Sequence, residues 1–289
     1  MDHTIDTPIR DIQNKMLDIL VYFRDFCRDN GLRFALCGGT ALGAVRHGGF
    51  IPWDDDVDVF MLREDYEKLQ ELWEKNADTT RYACVRSNEQ INIHHSATEI
   101  KDNNTTFINA HSVDSDIHHG LMIDVIPIDG VPASKWRRYA QMIDSMIYCC
   151  FNFQRLPSHK SKAVYYATKL ALGLVRSPKL RYKLWKGAER RISKYGTERC
   201  ATVASFGEGA TIMRMHFPTE WFYNTVEMDF EGHAMPVPAD VDKYLTISFG
   251  DYMQLPPAEE QIARHSAVFV DLDNCYTKYK GIHYCVEKK

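Results

Sequence analysis

The sequence predicts a mixed α/β protein of the α+β kind: a mixed sheet flanked by helices, one domain over residues 1–289 with a helical insertion at about 134–195. Three observations predict it. Short apolar or alternating runs mix with helical patterns at both ends of the chain. The stretch between them is helical throughout. A hydrophobic content of 45% over 289 residues is enough to bury one large core.

The elements follow in order. Ile9, Ile12, Met16, Ile19, Leu20, Phe23 and Phe26 recur at steps of three and four, a helix with one apolar face that ends near Asn30-Gly31. Arg33–Cys37 reads as a short buried strand running into Gly38-Gly39-Thr40, after which Ala41–Val45 starts a helix. Asp56–Leu62 alternates as a strand does, and Arg63–Lys75 is a charged helix with Tyr66, Leu69, Leu72 and Trp73 inward. Strands are expected near Tyr82–Arg86, Thr98–Lys101 and Gly120–Ile128, the last leaving through a turn-rich exit at Pro127–Pro132. Ser134–Tyr195 is helical, with breaks near Leu156-Pro157-Ser158 and Ser177-Pro178. Strands return at Thr202–Phe206 and Val226–Phe230. Prolines 236, 238, 256 and 257 surround one short C-terminal helix.

Composition excludes more than it selects. The net charge of −4 names no partner. No apolar run approaches the ~20 residues that span a bilayer, and Met1–Asp6 lacks the basic and apolar regions of a secretory signal. Eight cysteines form no CxxC pair, which suggests a reducing cytoplasm. His94-His95 is a poor zinc pair, because adjacent strand residues face apart.

Chemistry concentrates in the acids. Asp54, Asp55, Asp56 and Asp58 lie within five residues, bracketed by Ile51, Trp53, Val57, Val59 and Phe60. In a strand Asp56 and Asp58 point one way and Val57 and Val59 the other. Two carboxylates on one face repel unless one takes a proton or a cation sits between them. Oxygen-only ligands suit Mg²⁺ or Mn²⁺. Asp54 and Asp55 read equally well as supporting groups or as acidic loop. Upstream, Gly38-Gly39-Thr40 joins a strand to a helix, where glycines admit a phosphate and the helix N-terminus offers free N–H groups. Neither the P-loop nor the G-x-G-x-x-G pattern is met. Downstream, Asp124 is a lone acid in an apolar strand, costly to bury unless paired or metal-bound. His118 shares that strand face but reads as a surface histidine.

A Gly-Gly turn after one strand, Asp-x-Asp on the next and a lone Asp in a later one resemble the polymerase-beta-like nucleotidyltransferase superfamily. The run from Cys37 to Val59, with Arg63-Glu64-Asp65-Tyr66 and Ile123–Gly130, resembles the LicD family. So does a second block: Phe230-Glu231-Gly232, Val237-Pro238, Tyr244-Leu245, Phe249–Pro257 and His265. Phe249 stands where the family more often has tyrosine. The helical middle matches no family pattern.

The resemblance implies a metal-dependent transferase. It moves a phosphoryl-alcohol unit, phosphocholine from CDP-choline in the first instance, onto a hydroxyl of a cell-surface glycan or its lipid-linked precursor. The fukutin-related branch moves ribitol phosphate from CDP-ribitol instead. On this reading Asp56, Asp58 and Asp124 are catalytic and hold Mg²⁺ or Mn²⁺. Gly38, Gly39, Thr40, Arg46 and His47 bind donor phosphates, the arginine through its fork. Trp53, Asp251, Tyr252 and His265 are weaker substrate contacts. Trp53, Trp221, Phe249 and Tyr252 offer faces for a quaternary ammonium.

From Arg155 to Lys194 there are twelve Lys or Arg and one acid, Glu189. That stretch is either a solvated helix pair or a surface for peripheral contact at the inner membrane face. No nucleic acid is expected, since no reader motif accompanies the charge. Rival readings are a CDP-glycerol-dependent transferase, a nucleotide-sugar glycosyltransferase with a DxD metal site, a nucleotidyltransferase, and a binding protein that has lost its chemistry.

Overall fold

The computed structural model describes residues 7–156, 162–209, 211–263 and 267–286. Its elements run α1 (Ile9–Asp29), β1 (Ala35–Leu36), α2 (Gly38–His47), β2 (Asp58–Leu62), α3 (Arg63–Asn76), β3 (Tyr82–Val85), β4 (Thr98–Asp102), β5 (Thr106–Asn109) and β6 (Met122–Val131). Next come α4 (Lys135–Phe153), α5 (Lys162–Leu174), α6 (Pro178–Ile192), β7 (Thr202–Ala204), β8 (Phe217–Pro218), α7 (Glu220–Tyr223), β9 (Val226–Phe230), β10 (His233–Val237), α8 (Val241–Phe249) and β11 (Ala267–Asp271).

The main sheet has the order β1-β2-β6-β4-β3, extended by β7 on β6 and β8 on β7. β2 and β6 are parallel, while β4 lies antiparallel on β6. The sheet is therefore mixed, as expected. α1 buries Ile12, Met16, Ile19, Leu20 and Phe23, the stripe its periodicity predicts, and lies against β4 and β6. Tyr66, Leu69 and Trp73 of α3 join the same core. Burial of such side chains contributes roughly 1.5–3 kcal/mol each.

Three differences from the expected elements have physical causes. β2 starts at Asp58 rather than Asp56, because pairing with β6 starts at the Asp58–Asp124 register. β6 does not turn at Pro127 but runs on to Val131. Pro127, which has no N–H to donate, falls between the ladder with β4, ending at Val125, and the one with β7, starting at Asp129. β9 and β10 form a hairpin where only β9 is expected. Its turn residues Glu231 and Gly232 both have positive φ, the geometry two-residue hairpins favour. β5 pairs with β11, which no pattern in the sequence foretold.

The helical block is α4, α5 and α6. Ser177 caps α6 by accepting from Leu180 N, and Pro178 occupies the first turn. The expected break at Pro157-Ser158 lies outside the described residues. The block packs on a second, smaller core built from Tyr148, Phe151, Trp185, Ala188 and Ile192 with Val131, Ala204 and Phe206 of the sheet region. Its two ends join β6 and β7, which are hydrogen-bonded neighbours. Among the described residues no helix is long and apolar enough to cross a membrane. All eight cysteines are free thiols.

Candidate active site

Strand register builds the site. In the parallel β2–β6 ladder Asp58 stands opposite Asp124, and in the β4–β6 ladder Glu99 stands opposite Asp124. Residues opposite one another in a ladder share a face, so three carboxylates form a row across three adjacent strands. Asp56 lies just ahead of β2, with Val57 and Val59 buried on the other side. The β6 strand is drawn in by Asp124 N, which donates to Val57 O at 2.8 Å.

The glycine turn holds the row from above. α2 begins at Gly38 itself, whose φ is +53°. A side chain at Gly38 would press within 3.4 Å of Asp58 Oδ2, and one at Gly39 would meet Asp54 Oδ2 at 2.7 Å. These glycines thus admit two carboxylates to the amino end of a helix, where negative charge is favoured. Gly38 N donates to the Tyr244 hydroxyl at 2.9 Å, which ties the turn to α8. The Thr40 hydroxyl accepts from Asp58 N at 2.9 Å and is buried. Its placement orients Asp58. Gln13 reaches under the acidic loop and donates to the carbonyls of Ile51 and Asp54.

Electrostatics mark the row as strained. Burial, then Asp56, then Asp124, push the Asp58 carboxyl well above the usual range. Burial raises Asp124 to about 6, with Glu99 and Asp56 adding while His95 and Lys101 oppose. Glu208, on the loop after β7, is raised to about 7 by burial, with Asp124 adding and His95 opposing. Burial disfavours the His95 imidazolium, but Asp124 and Glu99 outweigh it and hold His95 at about 9. Burial likewise opposes the Glu99 carboxylate, which Lys101 and His95 hold at about 2. His95 Nδ1 stands 3.6 Å from Glu99 and 3.7 Å from Asp124, and Lys101 Nζ 3.0 Å from Glu99.

A divalent cation fits this donor set. Asp124 Oδ1 is buried without a hydrogen-bond partner, which is costly for a charged oxygen. His95, Glu99 and Asp124 bring one ligand atom each within 4.8 Å of one another. Asp56 and Asp58 add charge of the same sign.

Other residues singled out from sequence lie elsewhere. Arg46 and His47 are at the carboxyl end of α2, roughly 12 Å along the axis from Gly38. The Arg46 guanidinium donates to the carbonyls of Tyr252 and, at 3.5 Å, Gln254. His47 meets the edge of Trp53 at 6.2 Å between ring centres. The Tyr252 hydroxyl donates to Asp242, while Asp251 is exposed. Trp221 is buried in the core; Phe249 is exposed. His265 lies outside the described residues. Asp55 is buried. His118 is not a surface group: it is half-buried, accepts from Gly120 N and stacks near Tyr276. Burial holds it at about 3. His94 turns instead toward Asn152 O, so the adjacent histidines do part.

Sequence reasoning missed His95, Glu99, Lys101, Glu208 and Tyr244 as members of the site. Glu99 and Lys101 carried a signal, since alternate charges on a strand face one side. Glu208 carried none.

Comparison with known proteins gives a family likeness. Residues 31–163 match the LicD/FKTN/FKRP nucleotidyltransferase domain. The chain is 28% identical to lipopolysaccharide cholinephosphotransferase LicD of Haemophilus influenzae over 260 residues, 89% of this chain and 96% of that protein. It is 50% identical to ribitol 5-phosphate transferase FKRP of Homo sapiens, over 42 residues that cover 14% of this chain and 8% of that one. The glycine turn, the facing aspartates and this breadth of alignment lead to one conclusion: residues 31–163 match the LicD/FKTN/FKRP nucleotidyltransferase domain, and the chain as a whole is similar to a LicD protein.

Proposed function

We propose that the protein transfers a phosphoryl-alcohol group, phosphocholine from CDP-choline first, to a hydroxyl of a cell-surface glycan or its lipid-linked precursor. The observation that carries this reading is the Asp58–Asp124 pair under the glycine turn, in a chain aligned almost end to end with a cholinephosphotransferase. Asp56, Asp58 and Asp124 would hold Mg²⁺ or Mn²⁺, which when bound neutralises diphosphate charge and stabilises the leaving group.

The chain's own residues do the rest. Gly38 and Gly39 admit the Asp58 and Asp54 carboxylates to the amino end of α2, beside which the donor phosphates would sit. Tyr244 and Thr40 keep that turn and Asp58 in place. The acceptor oxygen attacks the distal phosphorus, the bond from that phosphorus to the bridging oxygen breaks, and CMP leaves. Asp124 or a neighbouring carboxylate takes the hydroxyl proton, and Glu208, held at about 7, is the neighbour best placed in pKa. His95 and Lys101 balance the charge of Glu99 and Asp124. Arg46, pinned to the 252–254 loop, supports the donor site through that loop.

A second cargo, ribitol or glycerol phosphate from its CDP ester, is favoured by the short, strong match to the ribitol 5-phosphate transferase. The test is CMP release from CDP-choline, CDP-ribitol, CDP-glycerol and CDP-ethanolamine, with and without Mg²⁺, beside donor calorimetry. Metal-dependent release from one donor names the cargo. No release and no binding for any of them sinks the CDP-alcohol reading in favour of nucleotide sugars.

A further inference from the structure

The far end of β6 carries a feature the carboxylate site does not use. An open cleft of about 470 Å³ lies beside Val131, lined by Lys135, Arg138, Tyr139, Gln141, Arg214 and His216. At the usual strand rise, the stretch from Asp124 to Val131 is roughly 23 Å long, so the cleft is separate from the carboxylates. No acid lines it. Lys135, Arg138 and Arg214 make no ion pair among the described residues. Burial, then Arg138, lower the His216 pKa, so Lys135, Arg138 and Arg214 supply the charge.

Two observations point to a ligand there. Lys135, Arg137 and Arg138 open α4, where the helix dipole disfavours cations, and neither an acid nor a side-chain cap offsets them. An anion seated at that end relieves both. Gln141, 1% exposed, donates to the carbonyls of Gly130 and Ile192, yet its Oε1 has no partner. A buried amide oxygen without a donor calls for explanation. Gln141 lines the cleft, so a hydroxyl or amine on a ligand seated there would stand beside this unpaired oxygen.

The surroundings favour an amphiphile. Trp136, Tyr139, Ile143 and Met146 are exposed along α4, Trp136 to 83%. Their spacing puts them on one stripe. α5 buries no residue and exposes Tyr166, Leu170 and Leu174. From Lys135 to Lys186 the one acid is Asp144, among many Lys and Arg. An aromatic and aliphatic stripe flanked by basic residues is the composition of a helix lying in a lipid interface.

We infer that the cleft is a second binding site, for the phosphate headgroup of an amphiphile, with the α4 stripe lying against the lipid surface. The cleft would hold this phosphate whatever donor the carboxylate site takes.

The test uses the full chain and vesicles of phosphatidylcholine, plain or with phosphatidic acid, in co-sedimentation, and inorganic phosphate in thermal melts. Arg138→Ala with Arg214→Ala removes two of the cleft's three cations and leaves Lys135. Lys179→Ala with Lys183→Ala removes the same charge from exposed positions of α6 outside it. Binding to the phosphatidic acid vesicles is expected to fall on the order of tenfold in the first pair and by less than about threefold in the second. Phosphate is expected to raise the melting temperature of the wild type and of the second pair only. Circular dichroism checks that both pairs fold. Equal losses in the two pairs would overturn the site in favour of diffuse attraction. A phosphate effect without vesicle binding would overturn the amphiphile, and neither effect would overturn both.

Discussion

Strands β2 and β6 bring charge together twice, with opposite results. At one end Asp58 faces Asp124, acid against acid. Five positions on, Asp129 of β6 meets Arg63, the residue after β2, through two bonds of 2.7 and 2.8 Å. Arg63, Arg86, Glu67 and Glu189 extend that contact into a network, and Glu189 comes from α6. Buried charge with its partners present fixes geometry and clamps the helical block to the sheet. Buried charge that faces its own sign across the ladder keeps a place for a cation. The same ladder thus separates a structural end from a chemical one.

The largest effect should come from Asp58→Asn. It is expected to cut CMP release about 10³-fold, by losing transition-state charge stabilisation worth several kcal/mol. The melting temperature should hold or rise, because a repulsion is removed. A melt that collapses instead would place Asp58 with the structural end. Asp129→Ala is the converse, taking from buried Arg63 its two shortest bonds and leaving it only Glu67 and Glu189. Urea unfolding should show a loss of about 3–5 kcal/mol, with activity per folded molecule little changed. A neutral Asp129→Ala would erase the distinction between the two ends.

Acidity should separate the ends by sign. Asp124 is raised to about 6, so its folded form binds a proton more tightly than its unfolded form. Its contribution to stability is full below about pH 4 and is lost as pH rises through 6. Glu189 is held at about 2 by Arg86, Arg63 and Lys186 against the opposing effect of burial, so its contribution is present above about 4.5 and lost as pH falls. Melts from pH 3 to 8 in chelator should show both limbs. Asp124→Asn should shrink the first limb, to which Asp58 and Glu208 also contribute, and leave the second; added Mg²⁺ should restore stability at the high-pH side. The smallest effect is Tyr244→Phe, which takes the hydroxyl from Gly38 N. About 1 kcal/mol of stability is expected to go, with a higher KM for the donor than for the acceptor.

Periodicity made α1, α3, α4 and α6 legible, because each buries one stripe against something larger. Asp58 and Asp124 were legible because an acid in an apolar strand needs a reason. The short strands were not: β11 takes its order from pairing with distant β5, and within β10 Pro236 argues against a strand locally. Glu99 escaped because its partners, Lys101, His95 and Asp124, assemble only when β4 settles antiparallel on β6. Thr40 and Arg46 carried motif positions but not their contacts. One orients Asp58 and the other grips a loop more than two hundred residues away in sequence.

The helical block leaves the sheet at Val131 and returns at Thr202, and these two residues are ladder partners. A detour whose ends already touch can be lengthened, trimmed or exchanged over evolutionary time without shifting the register that faces Asp58 to Asp124. The surface that this block presents can therefore be refitted while the facing aspartates stay in place.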